Sequence, residues 1–187
     1  KKIKIAGVLL VSTMLAVTSL AACGTKTISK STGSSGSTTT VSASDMFTKR
    51  DLDSGYDESK ATKIKLSDSK TTVSGDGAKF SSENGVNTVT ITKEGTYILS
   101  GKLNGQVVVD TDKTAKVQIV LKGATVSGKS TAAIYVKQAD KVFLTLAPNS
   151  ENTLTETGEF ASDNSSTVDG VIFSKDDLSI NGTGLLK

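Results

Sequence analysis

The chain has 187 residues, with 22 lysine and arginine side chains against 19 aspartate and glutamate, one cysteine and no histidine. Without histidine it cannot form a serine–histidine–aspartate triad, a histidine-dependent zinc site or an imidazole general base. One cysteine excludes an internal disulfide, a cysteine-based zinc site and a CxxC redox motif. The length fits one domain with tails. The formal charge of +3 suggests an anionic partner, but this depends on where the lysines lie in the chain.

The first 22 residues have the organisation of a secretory signal peptide. Lys1, Lys2 and Lys4 precede an apolar run that ends at small residues. A transmembrane or buried helix is the alternative, but serines and threonines interrupt the run, which is barely long enough to span a bilayer. Loss of the three lysines with the signal leaves the mature chain formally neutral. With no basic cluster and few aromatic residues elsewhere, we expect no nucleic-acid binding.

The single cysteine, Cys23, follows Leu20-Ala21-Ala22, and this sequence resembles the lipobox of bacterial lipoproteins. The resemblance implies a diacylated cysteine at the start of the mature chain, and a free cysteine in the apolar run is the alternative. Two acyl chains suffice for stable anchoring. Residues 23–44 are rich in serine, threonine and glycine, which predicts a flexible linker. We expect an extracytoplasmic lipoprotein, anchored to the cell membrane through its lipid alone and exposed at the cell surface.

Residues 45–58 mark the start of the domain, which we place at residues 45–187. Their carboxylates suggest a calcium loop, but Tyr56 stands where an EF-hand needs glycine, and Thr62 stands where it needs a bidentate glutamate. We therefore favour an N-terminal cap whose apolar side chains pack on the end of the domain. These side chains are Met46, Phe47, Leu52 and Tyr56.

From residue 61 onward, short β-branched segments alternate apolar and polar residues between turn residues, and no segment keeps a helical period for long. Two self-alignments stand out: residues 115–121 with 140–146, and residues 134–137 and 140–144 with 172–175 and 176–180. A repeat of about 25 residues with very short strands predicts a β-solenoid. An antiparallel β-sandwich is the alternative, and it would show alternation without a fixed register between units.

Several blocks of this domain resemble the carbohydrate-binding-domain lipoproteins of clostridia and their relatives. They are residues 46–53, 56–58, 95–101, 132–142, 150–154 and 172–182. The resemblance implies a right-handed parallel β-helix akin to pectate lyases, with calcium binding and attachment to acidic, pectin-like polysaccharide. Family members continue through more coils, whereas this sequence stops at Lys187. We therefore expect a truncated β-helix whose open end is covered by further coils or by another chain.

Binding of an acidic sugar requires cations and apolar ring faces. We expect Lys137, Lys141 and Lys175 to point outward from strands or corners. Tyr135 and Phe173 occupy equivalent places in two repeats. They either stack in the core or face outward as a platform for a sugar ring.

Aspartates at the corners are candidate ligands for calcium, which prefers carboxylate and carbonyl oxygens. The adjacent pair Asp176 and Asp177 is the most suggestive, with Asp140 at a similar corner. Asp163 and Asp169 bracket an inserted loop and form a second group. Solvated corners that bind no metal are the alternative.

Three functions remain open, and no catalytic residue is assigned. We favour a cell-surface module that binds polygalacturonate-like polysaccharide with calcium and without strong catalysis. The first alternative is a pectate-lyase-like enzyme that cleaves uronate polymers by β-elimination. Such an enzyme needs a base, usually an arginine or lysine near calcium. Because the sole arginine, Arg50, lies in the cap, a lysine would have to serve. The second alternative is a structural or adhesive lipoprotein without sugar specificity.

Overall fold

The computed structural model describes residues 42, 46–159, 162–163 and 166–187. The chain divides into two units, residues 1–42 and 43–187, and all the described secondary structure lies in the second. The signal peptide predicted at residues 1–22 and Cys23 lie outside the described residues, as does the predicted linker apart from Ser42. These predictions remain untested.

The described residues contain one short helix, α1 (Lys49–Leu52), and otherwise only strands. In chain order the strands are β1 (Thr62–Leu66), β2 (Thr72–Ser74), β3 (Ala78–Glu83), β4 (Val86–Ile91), β5 (Gly95–Asp110), β6 (Lys116–Lys129), β7 (Ile134–Gln138), β8 (Lys141–Leu146), β9 (Glu151–Thr157), β10 (Ser162–Asp163), β11 (Ser166–Thr167), β12 (Ile172–Ser174), β13 (Asp177–Gly182) and β14 (Leu185–Leu186). The all-β prediction is confirmed.

Twelve strands form one mixed sheet that does not close on itself, and β10 and β11 pair separately as a short hairpin. Only β1–β2, β3–β4 and β10–β11 are antiparallel among the described strand pairs. All the other described pairs are parallel. The antiparallel sandwich is therefore wrong.

The parallel pairs form three ladders. The first ladder contains β1, the first part of β5, the first part of β6, β8 and β13. The second contains the middle of β5, the end of β6, β9 and β14. The third contains β4, the end of β5, β7 and β12. From β5 onward the chain passes through the ladders in this order three times, and it starts a fourth pass with β13 and β14.

The register between successive passes confirms both self-alignments of the sequence. Ile119 pairs with Leu144, and Ile134 pairs with Ile172. Ile119, Leu144 and Ile134 are fully buried in the main apolar cluster. Burial of each such side chain contributes about 1.5–3 kcal/mol. A repeated inward column of aliphatic residues therefore fixes the strand register, because a slip by one residue would turn these side chains outward.

Glycine is required where strands leave the first ladder. Gly101 and Gly182 have φ of +92° and +100°, a region that other residues rarely adopt. A Cβ atom at Gly101 would lie 2.5 Å from the carbonyl oxygen of its register partner Leu66. One at Gly182 would lie 2.2 Å from the carbonyl oxygen of Leu146, again its register partner. The same tight corner therefore recurs at two passes.

The predicted N-terminal cap is only partly correct. Tyr56 is half-buried and packs with Ala61 against an apolar cluster on the first ladder. The other three predicted side chains are exposed: Met46, Phe47 and Leu52. The physical reason is that this part of the chain is attached through polar side chains, among them Asp51, which forms an ion pair with Lys141 on β8.

Candidate functional site

Tyr135 and Phe173 lie side by side on the outer surface of the third ladder. Ile134 and Val136 on either side of Tyr135 are fully buried, so strand alternation turns the tyrosine outward. Phe173 on β12 is the register partner of Tyr135. The two ring centroids are 5.7 Å apart, with an angle of 64° between the ring planes. Of the two orientations left open by the sequence, the structure has the outward one.

Two of the predicted lysines accompany these rings. The Lys175 ammonium nitrogen lies 5.7 Å from the centroid of the Tyr135 ring. Lys137 points outward from the same strand as Tyr135 and forms a 2.9 Å ion pair with Asp110. Its hydrogen bond to this carboxylate and the attraction of opposite charges raise the pKa of Lys137, so it stays cationic at neutral pH. We call Tyr135, Phe173, Lys137 and Lys175 the aromatic strip.

Polar side chains extend this surface toward the start of the third ladder. Gln106 on β5 accepts a 3.1 Å hydrogen bond from the Thr131 hydroxyl and donates a 3.3 Å one to the Thr88 hydroxyl. Gln106 and Val108 share the outward side of β5, and Val108 is the register partner of Tyr135. We did not single out Gln106 from the sequence, although its position two residues before Val108 is the signal that places it on this side.

An aromatic pair beside cations and amides has the chemistry to hold a charged sugar. The ring faces offer apolar area to a pyranose, while ammonium groups attract carboxylates and amides bind hydroxyls. Because Lys137 is already paired with Asp110, Lys175 is the strip cation without a described carboxylate partner.

Lys141 is separated from the aromatic strip. It lies on β8 in the first ladder, and its ammonium nitrogen is 2.6 Å from Asp51 Oδ1. The hydrogen bonds from Lys141, Ser179 and Thr48 hold the pKa of Asp51 well below its usual range. In this structure the Lys141 ammonium thus forms an ion pair with a carboxylate of its own chain.

Two of the three candidate calcium ligands in the first predicted group have partners within the protein. Asp140 makes a 2.6 Å ion pair with Lys116, whose pKa this carboxylate raises. Asp176 accepts a 2.9 Å hydrogen bond from the backbone of Ala139. Asp177, the register partner of Lys141, is exposed.

The second predicted group is only partly described. Asp169 is exposed, and Asp163 lies in β10, where only the backbone is described. Within the described part of the chain, no three acidic, histidine or cysteine side chains gather where they could hold a metal ion.

No helix among the described residues is long and apolar enough to cross a bilayer.

The chain is similar to proteins that are described as containing a carbohydrate-binding domain. A sequence profile described as "Carbohydrate-binding domain-containing protein" matches residues 84–187. A curated protein of Acetivibrio thermocellus with the same description is 39% identical over 101 residues, covering 52% of this chain and 35% of that protein. The chain thus spans about a third of its curated relative.

A solved structure described as the polysaccharide lyase-like protein from C. thermocellum has a similar fold. It matches with a TM-score of 0.60 and 33% sequence identity, over 67% of this chain and 51% of that chain. The aromatic strip lies within the residues that the family profile matches. Because that profile spans more than half of the sequence, the chain belongs to the family of carbohydrate-binding domain-containing proteins.

Proposed function

We propose that the chain binds an acidic, pectin-like polysaccharide along the aromatic strip. The observation that carries this proposal is the outward Tyr135–Phe173 pair with Lys175 above one of its rings. A uronate residue would stack on the rings and place its carboxylate toward Lys175. Family membership supports carbohydrate as the ligand class, and the lysines favour an acidic polymer.

The proposed architecture is a right-handed parallel β-helix. It is supported by three parallel ladders that the chain passes in a constant order, and by the similarity to a polysaccharide lyase-like protein. A polymer would then run across successive passes, because Tyr135 and Phe173 lie on adjacent strands of one ladder. Each pass would contribute one outward side chain of the third ladder to the row of groups that contacts the polymer.

The lipoprotein role belongs to the same proposal. Cys23 would carry the lipid anchor, and residues 24–44 would hold the domain away from the cell membrane at the cell surface. Calcium assistance is a prediction from the family resemblance.

A lyase acting by β-elimination is the second candidate. It is favoured by one observation, the similarity to a protein described as polysaccharide lyase-like. We assign no catalytic base. In the described structure Arg50 stacks on the ring of Phe143, at the first ladder and away from the aromatic strip.

Retention on immobilised polysaccharides tests the proposal. We expect the full chain to be retained on polygalacturonate, less on methyl-esterified pectin and least on a neutral β-glucan, with chelator reducing any calcium-dependent share. Equal retention on all three, or none, would contradict acidic-polysaccharide binding and favour the non-specific adhesive lipoprotein. Release of unsaturated uronate products, detected by ultraviolet absorbance, would establish the lyase.

A further inference from the structure

Residues 46–53, the N-terminal segment, lie across the outer face of the first ladder and are attached mainly by polar contacts. Asp51 accepts from the Lys141 ammonium at 2.6 Å and from the Ser179 hydroxyl. Asn181 donates to the backbone oxygens of Asp51 and Asp53, at 2.9 Å and 3.2 Å. The Asp51 side chain is 4% exposed, so its charge depends on these partners rather than on water.

Arg50 makes the second attachment of the N-terminal segment. Its guanidinium carbon lies 4.2 Å from the centroid of the Phe143 ring, and its Nη2 donates a 3.1 Å hydrogen bond to Gln118. Phe143 and Gln118 face outward from the ladder, yet they are only 2% and 4% exposed. Arg50 thus covers an aromatic ring on the outer face and binds the amide oxygen of Gln118, whose amide nitrogen donates to Gly55 and Thr145.

The apolar side chains of the N-terminal segment are mostly exposed. Met46, Phe47 and Leu52 are 75%, 52% and 64% exposed. The chain after Gly55 differs, because Tyr56 and Ala61 pack on Ile98, Val120 and Ala147 in a small apolar cluster. The N-terminal segment can therefore leave the ladder while the cluster that follows stays packed.

The uncovered face would contain the groups that bind an acidic sugar. Phe143 offers a ring to stack on, while Gln118 and Asn181 offer amides and Ser179 a hydroxyl. Lys141 would lose its anionic partner and become exposed to water once the N-terminal segment leaves. A ligand that brings a carboxylate to the place that Asp51 holds would restore the ion pair.

We propose that the face formed by Phe143, Gln118, Lys141, Ser179 and Asn181 is a second binding surface for uronate oligosaccharides, which the N-terminal segment occupies until a ligand displaces it. Asp51 takes the place of the uronate carboxylate, and Arg50 that of the stacked sugar ring. The class of ligand rests on the proposed function, whereas the site and its occupant rest on the contacts above. Because the N-terminal segment competes, the apparent affinity of the covered face is lower than its intrinsic affinity.

Trypsin reports directly on this competition because it cleaves after Arg50, whose side chain is held between Phe143 and Gln118. The full chain is treated with trypsin, with and without a short oligogalacturonate, and cleavage after Arg50 is followed by mass spectrometry. We expect the oligogalacturonate to accelerate this cleavage several-fold, and a neutral oligosaccharide or added salt of equal ionic strength to have little effect.

Variants separate this site from the aromatic strip. Asp51→Asn should accelerate cleavage without ligand and tighten oligogalacturonate binding several-fold. Asp57→Asn is the matched control, since Asp57 contacts only Ser59 and Lys60 among the described residues. Tyr135→Ala should keep the ligand-induced cleavage even if the strip binds nothing. No acceleration by oligogalacturonate, or unchanged affinity in Asp51→Asn with the fold intact by circular dichroism, would overturn the proposal.

Discussion

Tyr135 and Phe173 are register partners on neighbouring strands, and their rings meet edge to face with centroids 5.7 Å apart. Their outward direction is set by Ile134 and Val136, which are fully buried beside Tyr135. Edge-to-face pairs contribute about 0.5–1.5 kcal/mol beyond the area they bury. The platform is therefore formed before a ligand arrives, which reduces the entropy lost on binding.

The first prediction concerns the charge beside this platform. Lys175→Gln should weaken binding to polygalacturonate about 1.4- to 5-fold at low salt, since an exposed ion pair is worth about 0.2–1 kcal/mol. The difference should shrink in high salt, where exposed charges are screened. Lys102→Gln, at an exposed position of β5, is the matched control. Titration calorimetry at two salt concentrations measures both variants, and equal losses in both would assign the effect to net charge.

The second prediction concerns Asn152, a fully buried amide on β9. Its Oδ1 accepts from the backbone nitrogens of Gly123 and Ala124, and its Nδ2 donates to Ser150 and to the Leu185 carbonyl. Asn152→Ala should lower the free energy of unfolding by about 2 kcal/mol, because it leaves the buried backbone nitrogen of Ala124 unpaired and removes three further hydrogen bonds.

Chemical denaturation followed by circular dichroism measures this loss. Asn149→Gly is the control, because Asn149 has a φ of +56° that glycine adopts without strain. A loss below about 0.5 kcal/mol in Asn152→Ala would mean that water replaces the amide at this corner.

The third prediction compares two glycines with positive φ. Gly101→Ala places a Cβ atom 2.5 Å from the Leu66 carbonyl oxygen, whereas at Gly123, with φ of +75°, an added Cβ meets nothing within 4 Å. Both substitutions cost about 1–2 kcal/mol for the left-handed conformation. Gly101→Ala should cost clearly more, and thermal unfolding of both variants measures the difference. Equal losses would show that the corner at Leu66 and Gly101 opens easily.

Much of the fold could be predicted from the sequence because the repeat is a local pattern of aliphatic residues. The alignment of Ile119 with Leu144 reappears as strand register, since each inward column must match its neighbour to stay buried. The direction of Tyr135 could not be settled, because alternation gives two faces without saying which one is inside. Gln106 was not predicted as a surface residue of this ladder, because three consecutive valines follow it and the sequence there does not alternate between apolar and polar residues.

The N-terminal segment was the harder part to predict. Met46, Phe47 and Leu52 suggested burial by composition, yet Asp51 and Arg50 decide how this segment attaches. Their partners on β6, β8 and β13 are far away in sequence, so no local sequence pattern predicts these contacts. For the same reason Lys141 appeared available for ligands, whereas Asp51 occupies it.

The fourth prediction concerns acid stability. Lys141 holds the pKa of Asp51 well below its usual range, the Ser59 hydroxyl and Lys60 lower that of Asp57 to about 2, and Lys122 lowers that of Glu58. For a lowered pKa, the stabilisation is complete above the pKa of the unfolded chain, about 4, and is lost as the pH falls through the folded value.

We therefore expect a melting temperature insensitive to these groups from pH 7 to about 5, with a decline below about pH 4. Asp51→Asn should melt lower at pH 7 and decline less in acid than the original chain. Calorimetry across this range measures both. A parallel decline of the two proteins would assign the acid sensitivity to other carboxylates.

The most direct test of the central claim is the affinity of Tyr135→Ala, Phe173→Ala and Tyr135→Phe for polygalacturonate oligomers, measured by titration calorimetry under one set of salt and calcium concentrations. Loss of either ring should weaken binding about 5-fold or more, since truncating a central aromatic side chain typically costs over 1 kcal/mol. Tyr135→Phe, which keeps the ring, should bind within about 2-fold of the original chain. Unchanged affinity in both alanine variants, with the fold intact by circular dichroism, would contradict the account.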